Sequence, residues 1–268
     1  MARRVFCCRS VATTDRVPGE APDAITMDGH MTDESQSALR TVMVTGAAGN
    51  LGRAVAAAFA ERGANLVLVG TRMEGLAAAF GADSERRALV PADLRDQKQV
   101  NALVATAVAR FGRIDVLCNI AGGFRMGEPV HRTSDQDWNF LFDINVATLL
   151  HSVRAVVPGM IERGGGKIVN VGAFAAQKGA AQMGAYCAAK SAVIRLTEAM
   201  AAELREKNIN VNCVLPTIID TPENRAAMPG ADPARWVAPE DLAKVIVFLA
   251  SPDARAIHGA AVPVTGLS

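Results

Sequence analysis

Thr41-Val42-Met43-Val44-Thr45-Gly46-Ala47-Ala48-Gly49-Asn50-Leu51-Gly52 runs from five residues of strand character into a glycine-rich turn, and then into the alanine-rich stretch Leu51 to Glu61. A strand that turns tightly into a helix aims the free backbone N–H groups of the helix's first turn at whatever sits above it, which suits a phosphate. Working outward, runs of strand character recur at Asn65 to Val69, Arg87 to Val90, Ile114 to Cys118, Lys167 to Val171, Ile209 to Leu215 and Ala261 to Val264. Helical stretches separate them, most clearly Gln97 to Arg110, Asp137 to Val157, Tyr186 to Glu206 and Pro239 to Leu249. Strand and helix in alternation predict a doubly wound α/β domain, a parallel sheet of Rossmann type covered on both faces.

The 268 residues are 50% hydrophobic but only 4% aromatic, so one domain can bury a large aliphatic core. The boundaries expected are an extension over 1–40 and a single domain over 41–268. Twenty-eight basic residues against 27 acidic ones leave a formal charge of +1, and no nucleic-acid or membrane-surface partner is expected. No uncharged apolar run reaches the roughly 18 residues of a membrane span. The five cysteines, at 7, 8, 118, 187 and 213, have no ligand-like spacing and read as free thiols of a reducing, cytoplasmic setting, with no metal site.

The first forty residues mix Arg3, Arg4, Arg9 and Arg16 with Asp15, Glu20, Asp23 and Asp28 and show no apolar period, so the segment reads as disordered. Its acids argue against an import peptide, and a start at Met27 or Met31 is an alternative reading.

Tyr186, the only tyrosine, is followed four residues later by Lys190. On a helix these two share a face, so the ammonium is expected beside the phenol or a neighbouring ribose, and an adjacent cation draws a phenol of pKa about 10 toward useful proton transfer. The cofactor is read at the end of the second strand. An acid about 20 residues after the glycine turn would hold the ribose 2′-hydroxyl of NAD, whereas this chain has Gly70-Thr71-Arg72. A hydroxyl and a guanidinium in place of a carboxylate favour the 2′-phosphate of NADP(H) over NAD.

From about Thr41 to Gly266 the chain resembles the short-chain dehydrogenase/reductase family. Thr45, Gly46 and Gly52 match its Thr-Gly-x-x-x-Gly-x-Gly turn, with Asn50 in place of the middle glycine; asparagine tolerates positive φ, which would preserve the turn. Asp93 matches the adenine-contacting aspartate, and Asn119-Ile120-Ala121-Gly122 is similar to Asn-Asn-Ala-Gly. Asn145 matches the asparagine of the proton relay, and Tyr186 and Lys190 match the catalytic pair. The resemblance implies cofactor contacts at Thr45, Gly46, Asn50, Leu51, Gly52, Thr71, Arg72, Asp93, Asn119, Ala121, Gly122, Tyr186, Lys190, Ile219 and Thr221, the last two at the nicotinamide carboxamide. It also implies a homodimer or homotetramer. The helix stripe Val193, Leu196, Met200 and Leu204 is expected on the sheet or on a second subunit.

One family feature is missing. Ala173, thirteen residues before Tyr186, stands where the usual serine donates to the substrate oxygen. Losing such a donor costs about 2.7–4 kcal/mol in kcat. Ser191 has a packing role rather than a substitute one, and His30, His131, His151 and His258 are too scattered to act as catalysts. Dihydropteridine reductase, a family branch, shows the same gap. Gly172-Ala173-Phe174-Ala175-Ala176, Ala121-Gly122-Gly123-Phe124 and the segment from Leu215 to Arg225 with Met228-Pro229 resemble its pocket walls. Phe124, Ala173, Phe174 and Met183 are the candidate substrate-pocket residues, with Phe124 either stacking on a planar substrate or packing in the core. The function expected is an NADP(H)-dependent oxidoreductase delivering hydride to a carbonyl or a conjugated, quinonoid acceptor, with Tyr186 as proton donor. Reduction of a quinonoid dihydropterin and nucleotide binding with little turnover are the alternatives.

Overall fold

The computed structural model describes residues 40–268. The expected extension therefore lies, through residue 39, outside the described residues, together with Cys7, Cys8, His30, Met27 and Met31. The first half comprises β1 (Thr41–Thr45), α1 (Asn50–Ala60), β2 (Asn65–Gly70), α2 (Met73–Phe80), β3 (Arg87–Pro91), α3 (Gln97–Phe111) and β4 (Val116–Asn119). The second comprises α4 (Asp135–Phe142), a π-helical turn (Asp143–Ala147), α5 (Thr148–Glu162), β5 (Gly166–Val171), α6 (Gly184–Leu204), β6 (Ile209–Pro216), α7 (Pro222–Ala227), α8 (Pro239–Leu249) and β7 (Ala261–Val264).

All seven strands are parallel, in the order β3-β2-β1-β4-β5-β6-β7. Chain order reverses direction between β1 and β4, which opens a crevice beyond the carboxyl ends of these strands. Helices α1, α2 and α8 bury Leu51, Val55, Leu76, Leu242 and Ile246 against one face of the sheet. Helices α3, α5 and α6 bury Val100, Leu103, Val156, Met160, Val193 and Leu204 against the other. Covering on both faces explains why β1 and β6 are buried at every residue, and each large aliphatic side chain fully buried this way contributes about 1.5–3 kcal/mol.

The strands fall where the sequence places them, with one informative shift. β4 starts at Val116 rather than Ile114, because the Asp115 carboxylate accepts from the Thr41 N–H at 2.9 Å and takes a donor that a ladder would otherwise use. Helix α5 runs past Pro158 to Glu162, beyond the end at Val157 expected from the sequence. Pro158 faces solvent, where water can take the carbonyl it leaves unpaired, while Val156 and Met160 on the opposite face hold the helix to the sheet.

The continuous helix over 135–162 is long and apolar enough to cross a membrane by length and composition. Its stripe Leu141, Leu149, Val153, Val156 and Met160 is buried within the protein, as in a core helix. The α6 stripe also belongs to the chain's own core, since Val193 and Leu204 are buried and Leu196 and Met200 pack against the same cluster. Cys118, Cys187 and Cys213 are free and buried, and no metal-binding group of histidine, cysteine and carboxylate occurs among the described residues.

Candidate active site

The crevice between β1 and β4 opens into a cleft of about 1080 Å³. Its floor is the β1–α1 turn. Gly46 has φ +63°, and a Cβ there would lie 2.9 Å from the Ala121 Cα. At Gly52 a Cβ would overlap the Gly46 carbonyl oxygen and come within 2.7 Å of the Ala47 Cα. Both positions need glycine because two backbone segments meet there. Asn50 does not sit at positive φ as expected. It opens α1 in helical conformation, and the left-handed residue of the turn is Gly46. The N-cap of α1, Gly49, contributes no side-chain cap, and the first turn carries no acid. The first N–H groups are thus available, and the positive end of the helix lacks a counter-charge of its own, which suits a dinucleotide diphosphate.

Thr45 and Asn119 do not line the cleft. The Thr45 hydroxyl accepts from the N–H groups of Ile120 and Ala121 at 2.9 and 3.1 Å and donates to the Cys118 carbonyl. It clamps the β1 turn to the β4 turn from below. Asn119 is buried and donates to the Asn170 side-chain oxygen at 2.9 Å, joining β4 to β5. Leu51, Thr71, Asp93, Ala121, Gly122, Ile219 and Thr221 do line the cleft. Arg72 lies just outside it, as the exposed N-cap residue of α2. Arg95, which no motif singles out, grips both Asp93 oxygens, at 2.9 and 2.7 Å, and holds that carboxyl below its ordinary range.

On the opposite wall, α6 presents Tyr186 and Lys190 one turn apart, both lining the cleft. Lys190 is buried and donates to the Val171 carbonyl at 2.9 Å. Burial draws its ammonium down to about 8, partly offset by Cys213, and lifts the Tyr186 phenol to about 12, with Cys187 adding to the rise. This corrects the expectation of a phenol lowered by its lysine. No hydrogen bond joins the two groups among the described residues, and desolvation of the phenolate outweighs the field of a lysine held by a carbonyl.

Asn145 lies in the π-helical turn and bonds three times. Its amide donates to the carbonyls of Gly123 and Leu141 at 3.0 and 2.9 Å, and its oxygen accepts from the Gly123 N–H at 3.1 Å. Gly122 is where these parts converge, because a Cβ there would lie 2.8 Å from the Asn145 oxygen and 3.1 Å from the Lys190 nitrogen.

Around the phenol the walls are apolar. Phe124 meets the Tyr186 ring edge-on, with centroids 4.8 Å apart, and is 53% exposed, so it is not a core residue. Phe174, Met183, Met126 and Met228 also line the cleft. Met126, which sequence reasoning missed, is 56% exposed. Ala173 lines the same wall with a methyl group, and the Ser191 hydroxyl is turned to the Ala176 carbonyl at 2.7 Å. His151 bonds the Leu94 carbonyl and His258 the Asn210 amide, both structural contacts.

Residues 40–231 match the family described as short chain dehydrogenase. The D-threitol dehydrogenase of Mycolicibacterium smegmatis is 35% identical over 239 residues, covering 85% of this chain and 92% of the relative. The structure of ElxO with NADP bound superposes with a TM-score of 0.80 at 26% identity, over 85% of this chain and 98% of the other. Carveol dehydrogenase from Mycobacterium avium, in complex with NAD, superposes with a TM-score of 0.78 at 28% identity, over 85% and 96% of the two chains.

Proposed function

The chain belongs to the short-chain dehydrogenase/reductase family, and from that premise we propose that it is an NADP(H)-dependent oxidoreductase acting on a small carbonyl or conjugated, quinonoid acceptor. The observation that carries the reading is one cleft with an uncapped, glycine-built helix terminus at one end and Tyr186 within an apolar, aromatic collar at the other. Bound there, the dinucleotide would supply the hydride. Gly46, Gly49 and Gly52 would seat its diphosphate, and Thr71 and Arg72 would take the 2′-phosphate. Relatives with NADP and with NAD are both known, so the preference rests on the missing carboxylate after β2.

Tyr186 is protonated at neutral pH and so carries a proton that it can pass to a developing oxyanion or ring nitrogen. Lys190 lies one turn away to hold the ribose and to shift the phenol once both are engaged. Asn145 fixes the Gly122–Gly123 wall and belongs to the route of proton resupply. Ala173 gives the substrate no side-chain donor, so the acceptor must arrive already electrophilic. A quinonoid dihydropterin fits that requirement, and Phe124 and Phe174 offer flat faces to such a ring.

The test is NADPH oxidation with quinonoid dihydropterin beside ketones, aldehydes, 3-oxoacyl thioesters and quinones, with Tyr186→Phe as control. Turnover confined to activated acceptors and abolished in the variant supports the reading. Turnover of simple ketones would require another donor in place of the serine, and tight NADPH binding without any turnover would leave a nucleotide-binding protein.

A further inference from the structure

The first turn of α1 carries no acid of its own, yet a carboxylate reaches it from a distant helix. Glu223, in the first turn of α7, accepts from the Asn50 side-chain amide at 2.9 Å. The Asn50 oxygen in turn accepts from Arg53 at 3.4 Å. A glycine at position 50 would offer no such anchor. Among the described residues, the other side-chain hydrogen bonds of α7 run to Thr221, Ile219 and Asp220, on its own side of the cleft. Arg225 grips both Asp220 oxygens at 2.6 Å, and the Asn224 amide donates to the Ile219 carbonyl at 2.8 Å. Asn50, Ile219, Thr221 and Asn224 all line the cleft, so the Asn50–Glu223 bond ties its two sides together.

We propose that Glu223 is a resident anion at the positive end of α1 that the diphosphate of an entering dinucleotide must displace, so that the Asn50–Glu223 bond gates cofactor entry and exchange. The proposal rests on the hydride-transfer reading above for the identity of the entering ligand. Two anions contest one helix terminus, and a neighbouring carboxylate raises the energy of a bound diphosphate. The carboxyl is held ionised by its own backbone N–H, the Thr221 hydroxyl, Asn50 and Arg53, so the contest persists at neutral pH. Opening the bond frees α7 to move, and reclosing it after exchange restores the tie.

Two measurements test this. Hydrogen exchange of the nucleotide-free protein reads the latch by itself: Asn50→Ala and Glu223→Ala should speed exchange over residues 217–228 by about 2- to 5-fold, the value of one exposed charge-assisted bond. Stopped-flow binding of NADPH reads the contest. Glu223→Gln and Glu223→Ala should both raise the association rate and the affinity by about 2- to 5-fold, with the gain shrinking at high salt. Unchanged exchange, or weaker NADPH binding by Glu223→Gln, would overturn the latch while wild-type binding left the hydride-transfer reading standing. Failure of the wild type to bind either NADPH or NADH would overturn both.

Discussion

At the scale of single residues, the site is defined as much by a methyl group as by its functional groups. Ala173 lines the cleft on the wall that also carries Tyr186, so Ala173→Ser places a hydroxyl where the substrate oxygen is expected. One restored donor is worth about 2.7–4 kcal/mol to a developing oxyanion, so kcat on unactivated ketones should rise by about 10²-fold in steady-state assays. A variant with no gain would place the substrate oxygen elsewhere. Lys190 makes a second prediction. Burial lowers its pKa from 10.5 to about 8, so from pH 8 to 10.5 the unfolded chain binds the proton that the native state has lost. Stability from this group therefore rises with pH across that window, and below pH 8 the cost of burying the ammonium is present in full. Lys190→Met keeps the volume and removes the charge. It should be inactive, more stable than the wild type by about 1–3 kcal/mol at pH 7, and lose most of that margin by pH 10. Urea denaturation at the two pH values decides, and a margin independent of pH would rule out this account.

At the scale of elements, the π-helical turn between α4 and α5 organises the site. The widened turn lets the Asn145 side chain bond both backbone groups of Gly123 instead of facing the helix flank. Asn145→Ala leaves those groups without partners and should cost about 2–3 kcal/mol in denaturant unfolding, with kcat/KM falling more than KM changes. Gly122→Ala, whose Cβ would crowd both Asn145 and Lys190, should lower activity with little loss of fold. A stable, fully active Gly122→Ala variant would show that this convergence does not matter. These contacts were only partly legible in the sequence. Strand limits were readable because β-rich runs buried on both faces leave a continuous apolar trace, and the Thr45-Gly46 turn was readable because glycine reports a backbone need. The π turn was not, since Asp143-Ile144-Asn145-Val146-Ala147 continues an ordinary helical pattern and its extra residue arises from tertiary contacts. α2, with 8 residues, and α7, with 6, are too short to show an apolar period in the sequence. The Asp93–Arg95 pair and the Asn50–Glu223 bond depend on distances that no spacing rule supplies.

At the scale of the whole molecule, the cleft divides the sheet, with the β1–α1 turn on one side and β5, α6 and the loop after β6 on the other. A ligand that touches both sides binds the native state alone and should stabilise it as a unit. At 100 times its dissociation constant, a dinucleotide adds about 2.7 kcal/mol. For a domain of this size each kcal/mol raises the melting temperature by about 2–4 °C, so a shift of about 5–10 °C is expected in differential scanning fluorimetry. Thr71 at the cleft edge and Arg72 at the start of α2 should make NADPH the better stabiliser at equal concentration. Arg72→Glu tests the cause. It puts a carboxylate beside the 2′ position, repelling a phosphate and offering an acceptor to a hydroxyl, and should reverse the order of NADPH and NADH. Equal shifts for the two nucleotides in the wild type, or an order unaltered by Arg72→Glu, would remove Arg72 from cofactor choice and leave the preference to groups deeper in the cleft.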